Sequence, residues 1–300
     1  MAKHEGKGGD KGSGNGSGNG PTGLRALLRV PPGRGPVALK AYTPASTPGG
    51  PPDKAAALAG EPASRERLVD LQTRLFAQST AGDPRCVLLV LQGMDTSGKG
   101  GTLKHVTAGM NPSGVRVKAF KAPTEEEREH PFLWRVRRAL PGPGEIGVFD
   151  RSHYEDVLIA RVRDLVPRDV WTGRYDVINN FEQSLADDGV SVVKIFLHIS
   201  YEKQRERLLA RLDDPDKHWK FDSGDIEERA LWPAYQRAYE AALERCSTDA
   251  APWYVVPADH KWYRNWAVRT LLLEHLELID PKYPVADFDV ERSRARLLAT

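Results

Sequence analysis

The stretch Val87-Leu88-Leu89-Val90-Leu91-Gln92-Gly93-Met94-Asp95-Thr96-Ser97-Gly98-Lys99-Gly100-Gly101-Thr102 decides how the rest of the chain is read. Its first five residues form an unbroken apolar run, which suits a strand buried on both faces. Beyond it, Leu103, Val106 and Met110 recur at helical spacing. Strand, glycine-rich loop and helix in that order predict a phosphate-binding P-loop, and the pattern Gly-x-x-x-x-Gly-Lys runs from Gly93 to Lys99. Gly93, Gly98, Gly100 and Gly101 let the backbone through Met94, Asp95, Thr96, Ser97 and Thr102 curl with its N–H groups inward. The new helix adds the positive end of its dipole. Lys99 is expected to reach terminal phosphates as a point charge. The hydroxyl that usually follows this lysine is replaced by Gly100, so a metal ligand is needed elsewhere. Asp95, inside the loop, is the expected Mg²⁺ ligand.

The chain has 300 residues, enough for one large α/β domain with a tail or for two small domains. Its net charge of +2 excludes a strong global field, so a polyanion site must come from local clusters of Lys and Arg. No nucleic-acid partner is expected. The longest apolar runs are strand-sized, and no membrane span is expected. The N-terminal stretch lacks the apolar region of a secretory signal, which points to the cytoplasm. Cys86 and Cys246 have no metal-ligand spacing, and Cys86 reads as a small buried residue.

Further strands are expected at 115–120, 146–149, 190–199 and 253–256, each separated from the next by helical segments. The alternation predicts an α/β fold of three layers, α-β-α, around a parallel sheet of about five strands. Residues 1–20 are Gly- and Ser-rich and expected to be disordered. Residues 21–62 read as an extended Pro/Gly-rich arm, 63–280 as the main domain with a lid at about 201–225, and 281–300 as a C-terminal extension. Helices are expected at 63–78 with Ser64 as cap, from Thr124 through a capping box, after Pro131, from Tyr154, at 177–187, at 201–212 and at 225–246. Pro233 is expected to bend the last of these.

Three further places carry chemistry. Asp150-Arg151 follows the third strand, where P-loop folds place an acidic metal ligand. Arg151 would direct a delocalised charge at phosphates, the alternative being a surface ion pair. After the fourth strand come Arg205, Arg207, Arg211, Lys217 and Lys220, with Trp219 among them. They read as a lid over phosphates or, more plainly, as a solvated face. Lys121, at the end of the second strand, suits an anionic ligand or simply faces solvent. His153 and Tyr154 read as packing residues. A GTPase is excluded by the missing Asn-Lys-x-Asp motif, a Rossmann dehydrogenase by the missing Gly-x-Gly-x-x-Gly, and a serine hydrolase by the missing Gly-x-Ser-x-Gly.

Together these stretches resemble the polyphosphate kinase 2 family. The likeness is carried by Leu91 to Gly101, Phe120-Lys121-Ala122-Pro123-Thr124 and Phe132-Leu133-Trp134-Arg135. It continues through Phe149 to Leu158, Arg211-Leu212-Asp213-Asp214-Pro215, Trp219-Lys220 and Ala251 to Asp259. The resemblance implies a P-loop kinase fold similar to thymidylate kinase. It also implies phosphoryl transfer between inorganic polyphosphate and a nucleoside mono- or diphosphate, AMP, ADP or GDP. It implies Mg²⁺, with Mn²⁺ as substitute, held by Asp95 and Asp150. Catalytic roles are implied for Asp95, Lys99, Asp150, Arg151 and Arg211, and phosphate contacts for Lys217 and Lys220. A homo-oligomer, dimer or tetramer, is likewise implied. An ATP-dependent nucleoside monophosphate kinase and a non-catalytic nucleotide- or polyphosphate-binding protein are the competing readings.

Overall fold

The computed structural model describes residues 23–33 and 35–300; the expected tail at 1–20, and residues 21 and 22 of the arm, lie outside them. Five strands form one sheet: β1 (Cys86–Gln92), β2 (Val115–Ala119), β3 (Ile146–Asp150), β4 (Val190–His198) and β5 (Trp253–Pro257). Their order is β2-β3-β1-β4-β5, with every neighbouring pair parallel. Every residue of central β1 is buried. Alternate side chains of a strand point to opposite faces, so one apolar run serves two cores. Val87, Leu89 and Leu91 join Leu68, Leu71 and Leu75, whereas Leu88 and Val90 join Val136, Phe181 and Leu185. The outer edge of β2 exposes Arg116 and Lys118, charges that discourage further pairing. The opposite edge is closed by the arm: Val30 N donates to Trp253 O at 2.8 Å beside an antiparallel bridge between Arg29 and Tyr254.

The helices begin with α1 (Gly23–Leu28), α2 (Lys54–Ala59), α3 (Glu61–Ser79), α4 (Lys99–Val106), α5 (Glu125–Arg128) and α6 (Trp134–Arg137). They continue with α7 (Ile159–Val162), α8 (Arg168–Asp187), α9 (Tyr201–Leu212), α10 (Gly224–Ala230), α11 (Trp232–Cys246), α12 (Lys261–Ile279) and α13 (Val290–Leu298). Among the described residues no helix is long and apolar enough to cross a membrane. The capping box at Thr124 forms as expected, with Glu127 N donating to Thr124 Oγ1 at 3.2 Å and Thr124 N to Glu127 Oε2 at 3.1 Å.

Several boundaries differ from expectation for local reasons. The arm contains α1 and α2; Asp53 caps α2 by accepting from Ala56 N at 2.8 Å, and Leu24, Leu28 and Leu39 are buried. Helix α3 starts at Glu61, so Ser64 lies inside it and its hydroxyl donates back to the Gly60 and Glu61 carbonyls instead of capping. The helix expected from Tyr154 is a 3₁₀ turn, His153–Asp156, capped by Ser152 Oγ, which accepts the Tyr154 N–H at 3.2 Å, and followed by α7. Helix α8 begins at Arg168, directly behind Pro167, and not near Val177. Pro233 does not bend one long helix. It occupies the first turn of α11, where a missing N–H costs nothing, and Leu231 separates α10 from α11. The loop expected at 213–224 carries a 3₁₀ turn, Pro215–Lys220.

Candidate active site

Parallel strands deliver their carboxyl ends to one side of the sheet, and the loops after β1, β3 and β4 meet there. The P-loop backbone is tightly curled: φ is 152° at Gly93, 61° at Thr96 and 108° at Gly98. The φ of Gly98 calls for glycine, and a Cβ there would also lie 1.7 Å from Arg264 Nη1. Nothing lies within 4 Å of the equivalent point on Gly100, which leaves open space beside the loop. Lys99 opens α4, and its ammonium donates to Gly93 O at 2.7 Å. Among the described residues the buried hydroxyls of Thr96, Ser97 and Thr102 have no hydrogen-bond partner. A curl of N–H groups with unmet hydroxyls is the donor set that oxyanions satisfy.

Asp150 ends β3 in register with Leu91 on one side and Ala119 on the other. Arg151 follows at a φ of 64°, its N–H held by Leu91 O at 3.1 Å. That unusual backbone turns the guanidinium toward the loop, where Nη2 donates to Asp95 Oδ1 at 3.1 Å. Burial disfavours the Arg151 cation, but Glu155 and Asp95 more than offset this and hold its pKa above the usual guanidinium range. Burial in turn pushes the Glu155 carboxyl up, only partly countered by Arg151 and Lys99. Gln92, oriented to satisfy both neighbours, donates to Glu155 Oε1 at 3.1 Å and accepts from Ser152 Oγ at 3.0 Å. The end of β3 thus brings Arg151 onto Asp95, with Asp150 one residue before it in register with Leu91, while Lys99 lies on the Gly93 carbonyl of the same loop.

Beneath this turn lies a charged cluster shut off from solvent. Lys194, on β4 and 0% exposed, donates to Glu182 Oε2, to Tyr154 OH at 2.8 Å and to Cys246 O at 2.6 Å. Tyr154 OH donates to Glu182 Oε1 at 2.9 Å, and His153 Nε2 lies 3.1 Å from the same oxygen. The two residues that follow Ser152 are thus anchors for the turn that carries Arg151.

Two cavities open at the sheet's carboxyl edge. One, of about 650 Å³, is walled by Phe120, Phe132 and Leu165, with charge of both signs from Lys121, Arg135, Arg174, Glu127 and Asp156. The other, of about 240 Å³, lies over Gly93, Met94 and Asp95 and is closed by Asp222 and Asp225 of the lid. Arg151, Glu155 and Ile159 line both, so the cavities are neighbours across one side chain.

The lid cations are placed differently from expectation. Arg211 donates to Lys220 O at 2.9 Å and to Asp225 at 3.1 Å; Lys217 pairs with Asp214; Lys220 lies over the Trp219 ring at 4.8 Å. None of the three lines either cavity, because each charge is met inside the lid itself. Burial and the charge of Asp95 push the Asp225 carboxyl up against the pull of Arg211, which places this lid residue close to the P-loop. Arg207 does not face the cavities but grips the P-loop carbonyls, as does Gln204. Glu155, Asp225, Gln204 and Arg264 were not singled out from the sequence. Only Glu155 carried a usable signal, four places beyond Arg151 in a stretch already recognised.

Comparison with known proteins adds an independent line. The family model described as Polyphosphate kinase 2 (PPK2) matches residues 58–284. The AMP/ADP-polyphosphate phosphotransferase of Meiothermus ruber is 50% identical over 246 residues, 82% of this chain and 91% of that protein. The ADP-polyphosphate phosphotransferase of Rhodopseudomonas palustris is 45% identical over 231 residues, 73% of this chain and 78% of that protein. The crystal structure of polyphosphate kinase 2 from Arthrobacter aurescens TC1 superposes with a TM-score of 0.90 at 47% identity, covering 93% of this chain and 98% of that one.

Proposed function

This chain belongs to the polyphosphate kinase 2 family, and from that premise we propose that it moves a terminal phosphoryl group between inorganic polyphosphate and a nucleoside mono- or diphosphate. The observation that carries the proposal is the pair of cavities meeting at Arg151 and Glu155. The larger has the size and the mixed apolar and charged walls, with cations in excess of carboxylates, that suit a nucleotide. The smaller lies against the P-loop, where the donor phosphate belongs.

In this reading an oxygen of the acceptor's last phosphate forms a new P–O bond to the terminal phosphorus of polyphosphate. The anhydride bond behind it breaks in line, and the shortened chain leaves as the phosphate anion. Lys99 and the P-loop amides neutralise the donor, and Arg151, reaching between both cavities, stabilises the group in flight. Lys121, Arg135 and Arg174 orient the acceptor. A polyanion-tracking role for Arg211, Lys217 and Lys220 requires their pairings within the lid to break.

Among the described residues no three His, Cys, Asp or Glu side chains form a metal cage. Mg²⁺ needs no such cage, since it is held by one or two carboxylates together with substrate phosphates, and Asp95 lines the cavity over the P-loop. Asp95 and Asp150 are the residues that would hold it, and when bound it supplies charge neutralisation for the transferring phosphoryl group. Asp150→Asn is expected to raise the Mg²⁺ concentration needed for half-maximal rate by at least about tenfold; an unchanged metal titration removes Asp150 from the set. Mg²⁺ as the metal, a homo-oligomeric assembly and a cytoplasmic setting complete the proposal.

The test is a product assay with long-chain polyphosphate, Mg²⁺ and either AMP or ADP, without ATP. We expect ADP and ATP to form. Product that appears only when ATP is the phosphoryl donor would assign an ATP-dependent kinase instead.

A further inference from the structure

Three consecutive P-loop carbonyls are held by side chains from outside the loop. Gln204 Nε2 donates to Asp95 O at 3.1 Å, and Arg207 Nη1 donates to Thr96 O at 2.8 Å and Ser97 O at 3.1 Å. Arg264 Nη1 reaches Ser97 O at 3.1 Å from α12. In a planar trans peptide the carbonyl and the following N–H point in opposite directions. Drawing these oxygens outward therefore turns the amides of Thr96, Ser97 and Gly98 the other way. The Ser97 amide closes a turn onto Met94 O at 3.0 Å, which leaves those of Thr96 and Gly98 for an anion.

The arrangement also bears on Thr96, a β-branched residue at a φ of 61°, which is a strained conformation for its type. Its carbonyl is the one Arg207 holds at the shorter distance. The other prong of Arg207, Nη2, donates to Ala258 O at 2.7 Å and Asp259 O at 2.9 Å. Asp259 Oδ1 in turn accepts from Ser200 N, at the cap of α9, at 2.9 Å. The root of the lid helix, the loop after β5 and the P-loop are thereby tied through one guanidinium. Lysine cannot replace that fork, because an ammonium is a point from which donors diverge. Gln204 and Arg207, three residues apart, lie on one face of α9, and neither lines a cavity.

We propose that Gln204 and Arg207 are positioning residues that hold Thr96 in its left-handed conformation and aim the P-loop amides at phosphate. They act through the loop and not by touching substrate. The inference rests on the P-loop being the polyphosphate site proposed above. Wild-type turnover with polyphosphate tests that function, and affinity for tripolyphosphate, measured by calorimetry, tests the inference separately.

The variants are Arg207→Lys, Gln204→Leu, Thr96→Gly and the double variant T96G/R207K, all in the full chain. Arg207→Lys is expected to lose about tenfold or more in kcat/KM for polyphosphate and in tripolyphosphate affinity, the scale of a misplaced binding group. The nucleotide KM should stay within about twofold, since the change is not made in that cavity. Glycine adopts positive φ without strain, so the loss caused by R207K should be smaller in the Thr96→Gly background. The proposal is overturned if folded Arg207→Lys binds tripolyphosphate like the wild type, or if its loss is the same in both backgrounds. Should Arg207→Lys fail to fold, Gln204→Leu decides: weaker tripolyphosphate binding at unchanged nucleotide KM supports the proposal, and unchanged binding overturns it.

Discussion

Replacing Lys99 by alanine is expected to lower turnover of polyphosphate with ADP by about 10²–10³-fold, the scale observed when one preorganised charge-stabilising donor is removed from a site. The residue opens α4, with its ammonium 2.7 Å from Gly93 O. Its charge is therefore held on the loop's own backbone, at a residue that lines the smaller cavity. The loss belongs to chemistry and not to folding, because Lys99 is half-buried at the surface of the site and its one bond is to a carbonyl beside solvent-accessible space. Turnover under saturating Mg²⁺, with the unfolding midpoint measured alongside, checks the expectation. Near-normal turnover from a folded Lys99→Ala protein would remove this lysine from the mechanism, and with it the reading of Gly93–Lys99 as the donor cradle.

A loss of the second kind, in stability, is expected for Lys194→Met. Removing one partner of a buried ion pair costs about 3–5 kcal/mol, because the remaining charge is stranded. Here the stranded group is Glu182, which would keep only Tyr154 and His153 as partners. In the native protein burial pushes the Glu182 carboxyl up, but Lys194 and His153 more than offset it, so its pKa lies below the ordinary range. A depressed carboxylate contributes stability above its unfolded pKa and loses it as pH falls through the folded value. The variant reverses that sign: without Lys194 the carboxyl favours its protonated form. The deficit relative to wild type should therefore be largest near neutral pH and shrink in acid. Urea unfolding at pH 7 and pH 5 measures both quantities. An added Glu182→Leu substitution should recover part of the loss, since two apolar residues leave no charge unpaired. Equal stability of Lys194→Met and wild type at pH 7 would falsify the account of this cluster.

These two lysines show what could and could not be read from the chain. Lys99 announced itself through local order, a buried strand, glycines and a helix within sixteen residues. The approach of Arg151 to Asp95 was legible for a related reason, because strand ends in a parallel sheet converge by topology. Lys194 sits in a strand whose alternation offers no hint that a charge is buried, and its partners come from α8, α11 and the turn after β3. The same holds for Gln204 and Arg207, whose P-loop acceptors lie more than a hundred residues away. Helix boundaries failed where a proline set the start of a helix against the apolar periodicity, as at Pro167 and Pro233. The lid cations were legible as a charge cluster but not in their targets, since Asp214 and Asp225 compete for them at short range.

The arm that closes the β5 edge gives the fold an unusual order of completion. Leu24 N is bound to Glu274, 250 positions later, and Leu39 N to Glu240, 201 positions later. Neither bond can form on the ribosome until those distant residues have emerged, so residues 24–39 are made early and docked late. Such far-separated contacts carry a large loop-closure entropy, so they are expected to follow the sheet in time and not to nucleate it. The strand they cover is also the last to be synthesised. Until it and the arm meet, the growing sheet presents an unpaired hydrogen-bonding edge, and the arm is the chain's own means of closing it.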